Sequence, residues 1–315
     1  MNSYNILVTG CGGDIGQSIG KILTKTQWVK SVFGCDLHRE HAGLFIFDEC
    51  FVVSRAQSPA YWNEIINLVN KKEIDLIIPS TEAELSVFLN SPPELLKVCC
   101  LIMPNSNAVE LGLDKYKTIQ FLETHGLPFP RTEKLEDVHN PEFPCVVKSS
   151  HGSGGKGFYI VRDNATWKYV SDTLKDAICQ QYIDAPDEEY TCGLFRSKNG
   201  TIRHLIFRRK LMGGFSGFGM VIENVQIREL LIEIANKLDL IGSINVQLRL
   251  IENVPLVFEI NARFSSTVLF RHLLGFHDLI WSIQDATGQT LESYTPPPAG
   301  STFYKGFNEY VVFAK

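Results

Sequence analysis

No run in this 315-residue chain approaches the roughly 18 consecutive apolar residues of a membrane-spanning helix, so no membrane partner is expected. Charge of one sign is not in excess either: 30 Lys and Arg stand against 35 Asp and Glu, a net −5. Nucleic-acid binders usually carry a basic face, and that class of partner is set aside. The stretch MNSYNILVTG has no basic segment leading into an apolar one. A secretory signal is therefore not expected, and the expected compartment is the cytoplasm. The 8 cysteines (Cys11, Cys35, Cys50, Cys99, Cys100, Cys145, Cys179, Cys192) form no C-x-x-C pair and have no His at zinc-finger spacing. They read as reduced, mostly buried thiols, with Cys11 and Cys192 the two worth testing for reactivity. A Walker A loop, G-x-x-x-x-G-K-[ST], is missing, as is any internal repeat. What remains is 44% hydrophobic and 21% charged, which suits about two globular domains at roughly 100–200 residues each.

The first 110 residues alternate strand and helix signals. Strands are expected at Tyr4–Thr9, Ser31–Asp36, Cys50–Val53, Ile74–Pro79 and Val98–Met103, and helices at Ile15–Thr26, Pro59–Lys71 and from Glu82. That rhythm predicts a parallel sheet with right-handed crossovers, a Rossmann-like half-domain. A helix over Leu113–His125 follows, stopped by GLPFP. Beyond it the pattern is α+β. Strands are expected at 144–149, 158–162, 178–183, 189–194, 202–210, 243–251 and 256–260, with a helix at 227–238 and a last strand at Tyr310–Phe313.

Two glycine clusters are candidates for phosphate contact. Gly10, Gly12 and Gly16 lie between a strand and a helix, with Asp36 at the end of the second strand. Such a turn binds dinucleotides when the acid meets a ribose, which keeps a nicotinamide-dependent oxidoreductase open as a remote alternative. The same glycines can simply close a strand–helix turn, and no Tyr-x-x-x-Lys pair accompanies them. The second cluster, HGSGGKG at 151–157, follows Lys148. Its backbone N–H groups can fold over phosphates, or it can be an ordinary hairpin.

Period-two alternation in VFEINAR places Glu259, Asn261 and Arg263 on one face. In SINVQLRL it places Asn245, Gln247 and Arg249 together. Oxygen donors on two neighbouring strands suit magnesium, which keeps phosphate and water in its shell. An arginine beside them suits a transferring phosphoryl group. A polar, solvated edge strand is the plainer alternative. Gln180–Ile183 can offer backbone groups to an adenine edge, and Glu189 can reach a ribose. Arg208, Arg209 and Lys210 precede GGFSGFG, read as a glycine-rich loop able to close over an anionic substrate. Arg271 is a further candidate for orienting a carboxylate.

Lys115, Lys148, the 152–157 loop, Gln180–Ile183, Glu189, Gln247, Glu259, Asn261 and Arg263 occur in the order of the ATP-grasp superfamily. NVQLRL and PLVFEINARFSST resemble one module of the carbamoyl phosphate synthase large chain, and the resemblance spans nearly the whole chain. It implies a pre-ATP-grasp domain over 1–112 that helps form an acceptor-substrate pocket. An ATP-grasp domain follows over 113–300, divided into a nucleotide-lid subdomain (113–183) and a metal-binding subdomain (184–300), with a tail strand in 301–315. It implies ATP and Mg2+, with Mn2+ as the alternative ion. Lys115 and Lys148 would contact phosphates, and Ser153, Gly154, Gly155 and Gly157 would form the lid loop. Gln180, Gln181, Tyr182 and Ile183 would line the adenine site, and Glu189 the ribose. Gln247, Glu259 and Asn261 would hold the metal, and Arg263 would act with Lys148 in catalysis. Many members carry a carboxylate where this chain has Gln247. The implied activity is ATP-dependent carboxylate–amine ligation through an acyl phosphate, acting on small molecules, in a possible homodimer. A nucleotide-gated binding or regulatory protein without ligase activity is the alternative. At 315 residues the chain is expected to be one module, not the two-module synthase.

Overall fold

The chain is built around three β-sheets in a computed structural model that describes residues 3–152, 157–306 and 308–310. The first sheet holds β1 (Tyr4–Thr9), β2 (Val29–Asp36), β3 (Glu49–Val52), β4 (Leu76–Ile78) and β5 (Cys100–Leu101). All pairs are parallel, in the order β3-β2-β1-β4-β5. Helices α1 (Asp14–Leu23), α2 (Tyr61–Lys72), α3 (Glu82–Phe88) and α4 (Pro93–Leu96) make the crossovers. Both faces of this sheet are covered, which is why β1 is apolar at consecutive positions. Ile6 and Val8 meet Ile19 of α1 on one face, while Leu7 meets Ile65 of α2 on the other. The strand order reverses between β1 and β4, so the ends of these two strands open a crevice.

Next come α5 (Ser106–Gly112) and α6 (Lys115–Thr124). Asp114 caps α6, accepting from the backbone N–H groups of Tyr116 at 2.8 Å and Lys117 at 3.2 Å. Ile119 and Leu122 of α6 pack into the core of the largest sheet. This helix therefore belongs physically with that sheet, although the expected boundary at 113 assigned it to the smaller subdomain.

The second sheet is antiparallel: β6 (Thr132–Lys134), β7 (Cys145–Ser149), β8 (Phe158–Val161) and β9 (Ala177–Gln181), ordered β6-β9-β7-β8. Helix α7 (Asn164–Thr173) covers it through Val170. Its core of Val147, Val161, Val170 and their neighbours is a cluster of its own.

The third sheet contains β10 (Glu189–Arg196), β11 (Ile202–Met212), β12 (Phe215–Val221), β13 (Gly242–Ile251), β14 (Val254–Asn261) and β15 (Thr302–Tyr304), ordered β14-β13-β10-β11-β12-β15. Helix α8 (Val225–Lys237) packs on one face through Ile227, Leu231 and Ile234. Helices α9 (Val268–Leu273) and α10 (Asp278–Ala286) tie this sheet to the first. Leu279, Ile280 and Ile283 join the core under β1, whereas Trp281 packs with Phe195 and Phe207.

One expectation is corrected here. GGFSGFG is not a closing loop: Gly213 and Gly214 make a tight turn with positive φ, and the rest is β12, paired with β11. Its glycines are required by neighbours, because a Cβ on Gly219 would lie 2.2 Å from the Phe303 ring. The last strand among the described residues is Thr302–Tyr304; of the strand expected at Tyr310–Phe313, Tyr310 is in none and 311–313 lie outside the described residues. No helix among the described residues is long and apolar enough to cross a membrane.

Candidate active site

A cleft of about 770 Å³ opens where the three sheets meet. From the second sheet comes Lys148. Alternation along β7 turns Val147 into that sheet's core and Lys148 towards the cleft. Its Nζ donates to Gln180 Oε1 at 3.0 Å and to the Phe258 carbonyl of β14 at 3.1 Å. Only 7% of Lys148 is exposed. Burial pushes its ammonium down to about 8, with Glu259 opposing the fall and Lys115 adding to it. Lys115, in the first turn of α6, donates to the Gly152 carbonyl at 2.7 Å.

From the third sheet, register places Gln247 opposite Glu259 and Asn245 opposite Asn261. Arg263, just past β14, donates to Asn261 Oδ1 at 3.1 Å and to Glu82 Oε1 at 3.4 Å. Glu259 lines the cleft, and its carboxylate has no ion-pair or hydrogen-bond partner among the described residues. A carboxylate beside an amide oxygen is a hard donor set that fits magnesium, so Glu259 and Asn261 fit the implied ion.

Gln247 Oε1 accepts from Arg209 Nη2 at 2.7 Å, as Asn261 Oδ1 accepts from Arg263 Nη2, so a metal ion at either amide oxygen would share it with a guanidinium, and Glu259 is the donor without such a partner among the described residues. Glu189 is corrected. Its Oε1 accepts from Arg209 Nε and Nη2 at 3.1 and 2.9 Å, and its Oε2 from Arg249 Nε and Nη2 at 3.2 and 2.7 Å. Four N–H groups fill the roughly four lone-pair sites of a carboxylate, so a ribose hydroxyl would have to displace an arginine.

Gln180, Gln181, Tyr182 and Ile183 all line the cleft. The Ile183 carbonyl already accepts from Ala185 N at 3.1 Å and from Arg249. Of the lid loop, Gly157 is described, with φ of 72°; Ser153, Gly154 and Gly155 lie outside the described residues.

Among the expected substrate cations only Arg209 lines the cleft. Alternation along β11 sends Arg208 and Lys210 to the other face, where they pair with Glu188 at 4.0 Å and Asp187 at 3.0 Å. Arg271 is fully buried in α9, paired with Asp278 at 3.2 Å and bonded to Asn245. It is a structural residue with no access to a substrate.

Two residues were missed. Arg249 shares the face of Gln247 in SINVQLRL, which was the available signal. Glu82 opens α3 directly after β4, at the reversal of strand order, and a sequence does not reveal that reversal. Of the amino-terminal glycine turn, Gly10, Gly13 and Asp14 line the cleft. Asp36 does not present itself to a ribose: its Oδ2 accepts from Gly12 N at 2.8 Å and its Oδ1 from Leu37 N at 2.7 Å. A Cβ on Gly16 would stand 2.4 Å from the Gly10 carbonyl oxygen. These glycines serve the closure of the turn.

A Rossmann-like domain followed by two antiparallel sheets enclosing a lysine- and acid-lined cleft is the ATP-grasp architecture. Residues 113–267 match the family model described as ATP-grasp domain, and residues 6–102 match the one described as PylC-like, N-terminal domain. The chain thus carries an ATP-grasp domain behind a PylC-like N-terminal domain. It is similar to the carbamoyl phosphate synthase large chain of Thermoplasma acidophilum, 26% identical over 276 residues, which cover 78% of this chain and 26% of that one. The chain therefore spans about a quarter of the length of this curated relative. Its fold is similar to that of the N5-carboxyaminoimidazole synthetase from Staphylococcus aureus complexed with ADP. That match has a TM-score of 0.74 and 16% identity, covering 93% of this chain and 79% of that one. It is also similar to an L-amino acid ligase from Bacillus licheniformis, with a TM-score of 0.71 and 18% identity, covering 91% of this chain and 74% of that one.

Proposed function

We propose that the chain is an ATP-dependent acid–amine ligase. The observation that carries this reading is the facing of Lys115 and Lys148 with Glu259, Asn261 and Arg263 in one cleft. Two ammonium groups suit a polyphosphate, the carboxylate and amide suit its magnesium, and the guanidinium suits charge on the group in transit. Mg2+ would be held by Glu259 and Asn261, with Mn2+ the other candidate, and would supply neutralisation of phosphate charge. Ser153, Gly154, Gly155 and Gly157 are proposed as the lid over the phosphates, and Gln180–Ile183 as the adenine edge.

A substrate carboxylate oxygen attacks the γ-phosphorus of ATP, the bond to the β–γ bridging oxygen breaks, and ADP leaves. An amine then attacks the acyl carbon, expels phosphate and loses a proton. The residues position and neutralise; none needs to become covalently attached. The proposed division of labour is an acceptor-side domain over 1–112, the ATP-grasp domain over 113–300 and a closing tail over 301–315. The substrates are proposed to be a small carboxylate and a small amine, and the assembly a homodimer.

The engagement of Gln247 by Arg209 favours one second reading, a nucleotide-gated binding protein that does not turn over. One experiment separates the two. ADP release is measured with Mg-ATP across a panel of carboxylate and amine pairs, in the wild type and in Glu259→Ala. Pair-dependent release that vanishes in the variant supports the ligase. Nucleotide binding without release on any pair supports the second reading, and no nucleotide binding overturns both.

A further inference from the structure

We propose a metal site outside the cleft, formed by Cys11, His41 and Cys50, for a soft divalent ion, zinc. These residues come from three segments: the β1–α1 turn, the start of the 3-10 turn Ala42–Phe45, and β3. No sequence spacing announces them, because 30 and 39 residues separate Cys11 from its two partners. In space Cys11 Sγ lies 3.8 Å from His41 Nε2 and 4.0 Å from Cys50 Sγ, and the three ligand atoms all lie within 4.8 Å of one another. A tetrahedral zinc ion with bonds of about 2.3 Å to sulfur and about 2.0 Å to nitrogen sets its ligands about 3.8 Å (S to S) and about 3.6 Å (S to N) apart. The two separations from Cys11 exceed these by a few tenths of an ångström, and the His41–Cys50 separation, within 4.8 Å, closes as the ion draws the ligands in.

The pocket for these atoms depends on glycine. A Cβ on Gly34 would stand 2.7 Å from Cys11 Sγ, and Cβ atoms on Gly12 and Gly43 would each stand 2.8 Å from the His41 ring. Two thiolates and an imidazole select zinc over magnesium, so this site and the oxygen donors of the cleft call for different ions. Cys11 is fully buried while His41 and Cys50 are half-buried, which leaves an entry path and a fourth position on their side. His41 Nδ1 is buried with no hydrogen-bond partner among the described residues. Metal-bound histidines usually donate from that second nitrogen, and its loss typically costs 10–100-fold in affinity. The site is therefore expected to bind more weakly than a closed structural zinc site. When occupied it would fasten β3 to the glycine turn that borders the cleft.

The test is Co2+ titration of the reduced, chelator-treated full chain without oxygen, followed by Zn2+ competition. The wild type is expected to develop a thiolate-to-cobalt charge-transfer band in the near ultraviolet, with ligand-field bands of tetrahedral intensity, and to lose both to zinc. Cys50→Ser and His41→Ala should lose the charge-transfer band or weaken cobalt binding at least tenfold. Cys192→Ser and Glu259→Ala should retain it, the latter because this site is independent of the cleft. Zinc should also protect Cys50, and not half-buried Cys100, from alkylation as read by mass spectrometry. A wild type without the band, a band that survives Cys50→Ser, or a Cys11–Cys50 disulfide forming in place of metal uptake would overturn the proposal.

Discussion

Lys148→Met isolates the contribution of one buried cation. The side chain keeps its length and loses its charge. A fall of the ammonium from 10.5 to about 8 corresponds to about 3 kcal/mol of unfavourable burial at neutral pH, at ~1.36 kcal/mol per pH unit. Methionine removes that penalty but leaves Gln180 Oε1 and the Phe258 carbonyl short of a donor, at about 1–3 kcal/mol each. The two effects offset, so urea unfolding at pH 7 should change by less than about 2 kcal/mol. Nucleotide binding has no such compensation. Loss of charge-assisted bonds worth about 1.5–3 kcal/mol should weaken Mg-ATP by roughly 10–100-fold, read by calorimetry. The sign of the pH dependence follows from the same group. Between pH 8 and 10.5 the unfolded chain holds the proton that the folded chain has released, so stability without nucleotide should rise across that window. Polyphosphate favours the ammonium, so affinity should fall as pH rises through 8, and binding near pH 8 should take up a proton, seen as buffer-dependent heats. A Lys148→Met protein that binds Mg-ATP within twofold of the wild type would refute the phosphate role. A stability loss above ~4 kcal/mol would refute the offset.

Arg263→Ala is expected to abolish ADP formation while keeping the unfolding midpoint within a few degrees, checked by coupled assay and thermal melt. Arg271→Ala should do the reverse, costing about 3–5 kcal/mol in urea unfolding because it strands buried Asp278. Gly219→Ala should cost about 1–3 kcal/mol, since its Cβ would meet the Phe303 ring at 2.2 Å. Burial raises Glu84 to about 7 against the usual 4.5. Its penalty develops as pH rises through that interval, so Glu84→Gln should stabilise the protein at pH 8 and not at pH 4, measured as paired denaturant curves.

The parallel half of the fold was legible because β1, β2 and β4 write their burial as short apolar runs broken by glycine and proline. That Glu259 and Asn261 face one cleft was legible because a strand repeats every two residues. What escaped depends on partners distant in sequence. β12 looked like a loop until Met212 and Phe303 explained Gly217 and Gly219. Helix α10 has its polar residues Asp278, Ser282 and Gln284 buried along with its apolar ones, so no exposed polar face marked it in the sequence. Arg271 looked like a substrate cation because its neutralising Asp278 follows a turn. Gln247 and Glu189 looked available because Arg209, 38 and 20 residues away, was assigned to a different task.

The separate core of the second sheet has a mechanical consequence. Helix α10 welds the first and third sheets into a single frame, because its residues sit in the cores of both. Among the described residues the core cluster of the second sheet is separate from those of that frame, so this sheet is the part of the fold whose packing is least tied to the rest. Lys148 spans the joint from β7 to the Phe258 carbonyl of β14, and Lys115 of α6 spans it the other way to the Gly152 carbonyl, which makes these two ammonium groups latches: any swing of the second sheet must either keep those bonds or hand the donors to something in the cleft.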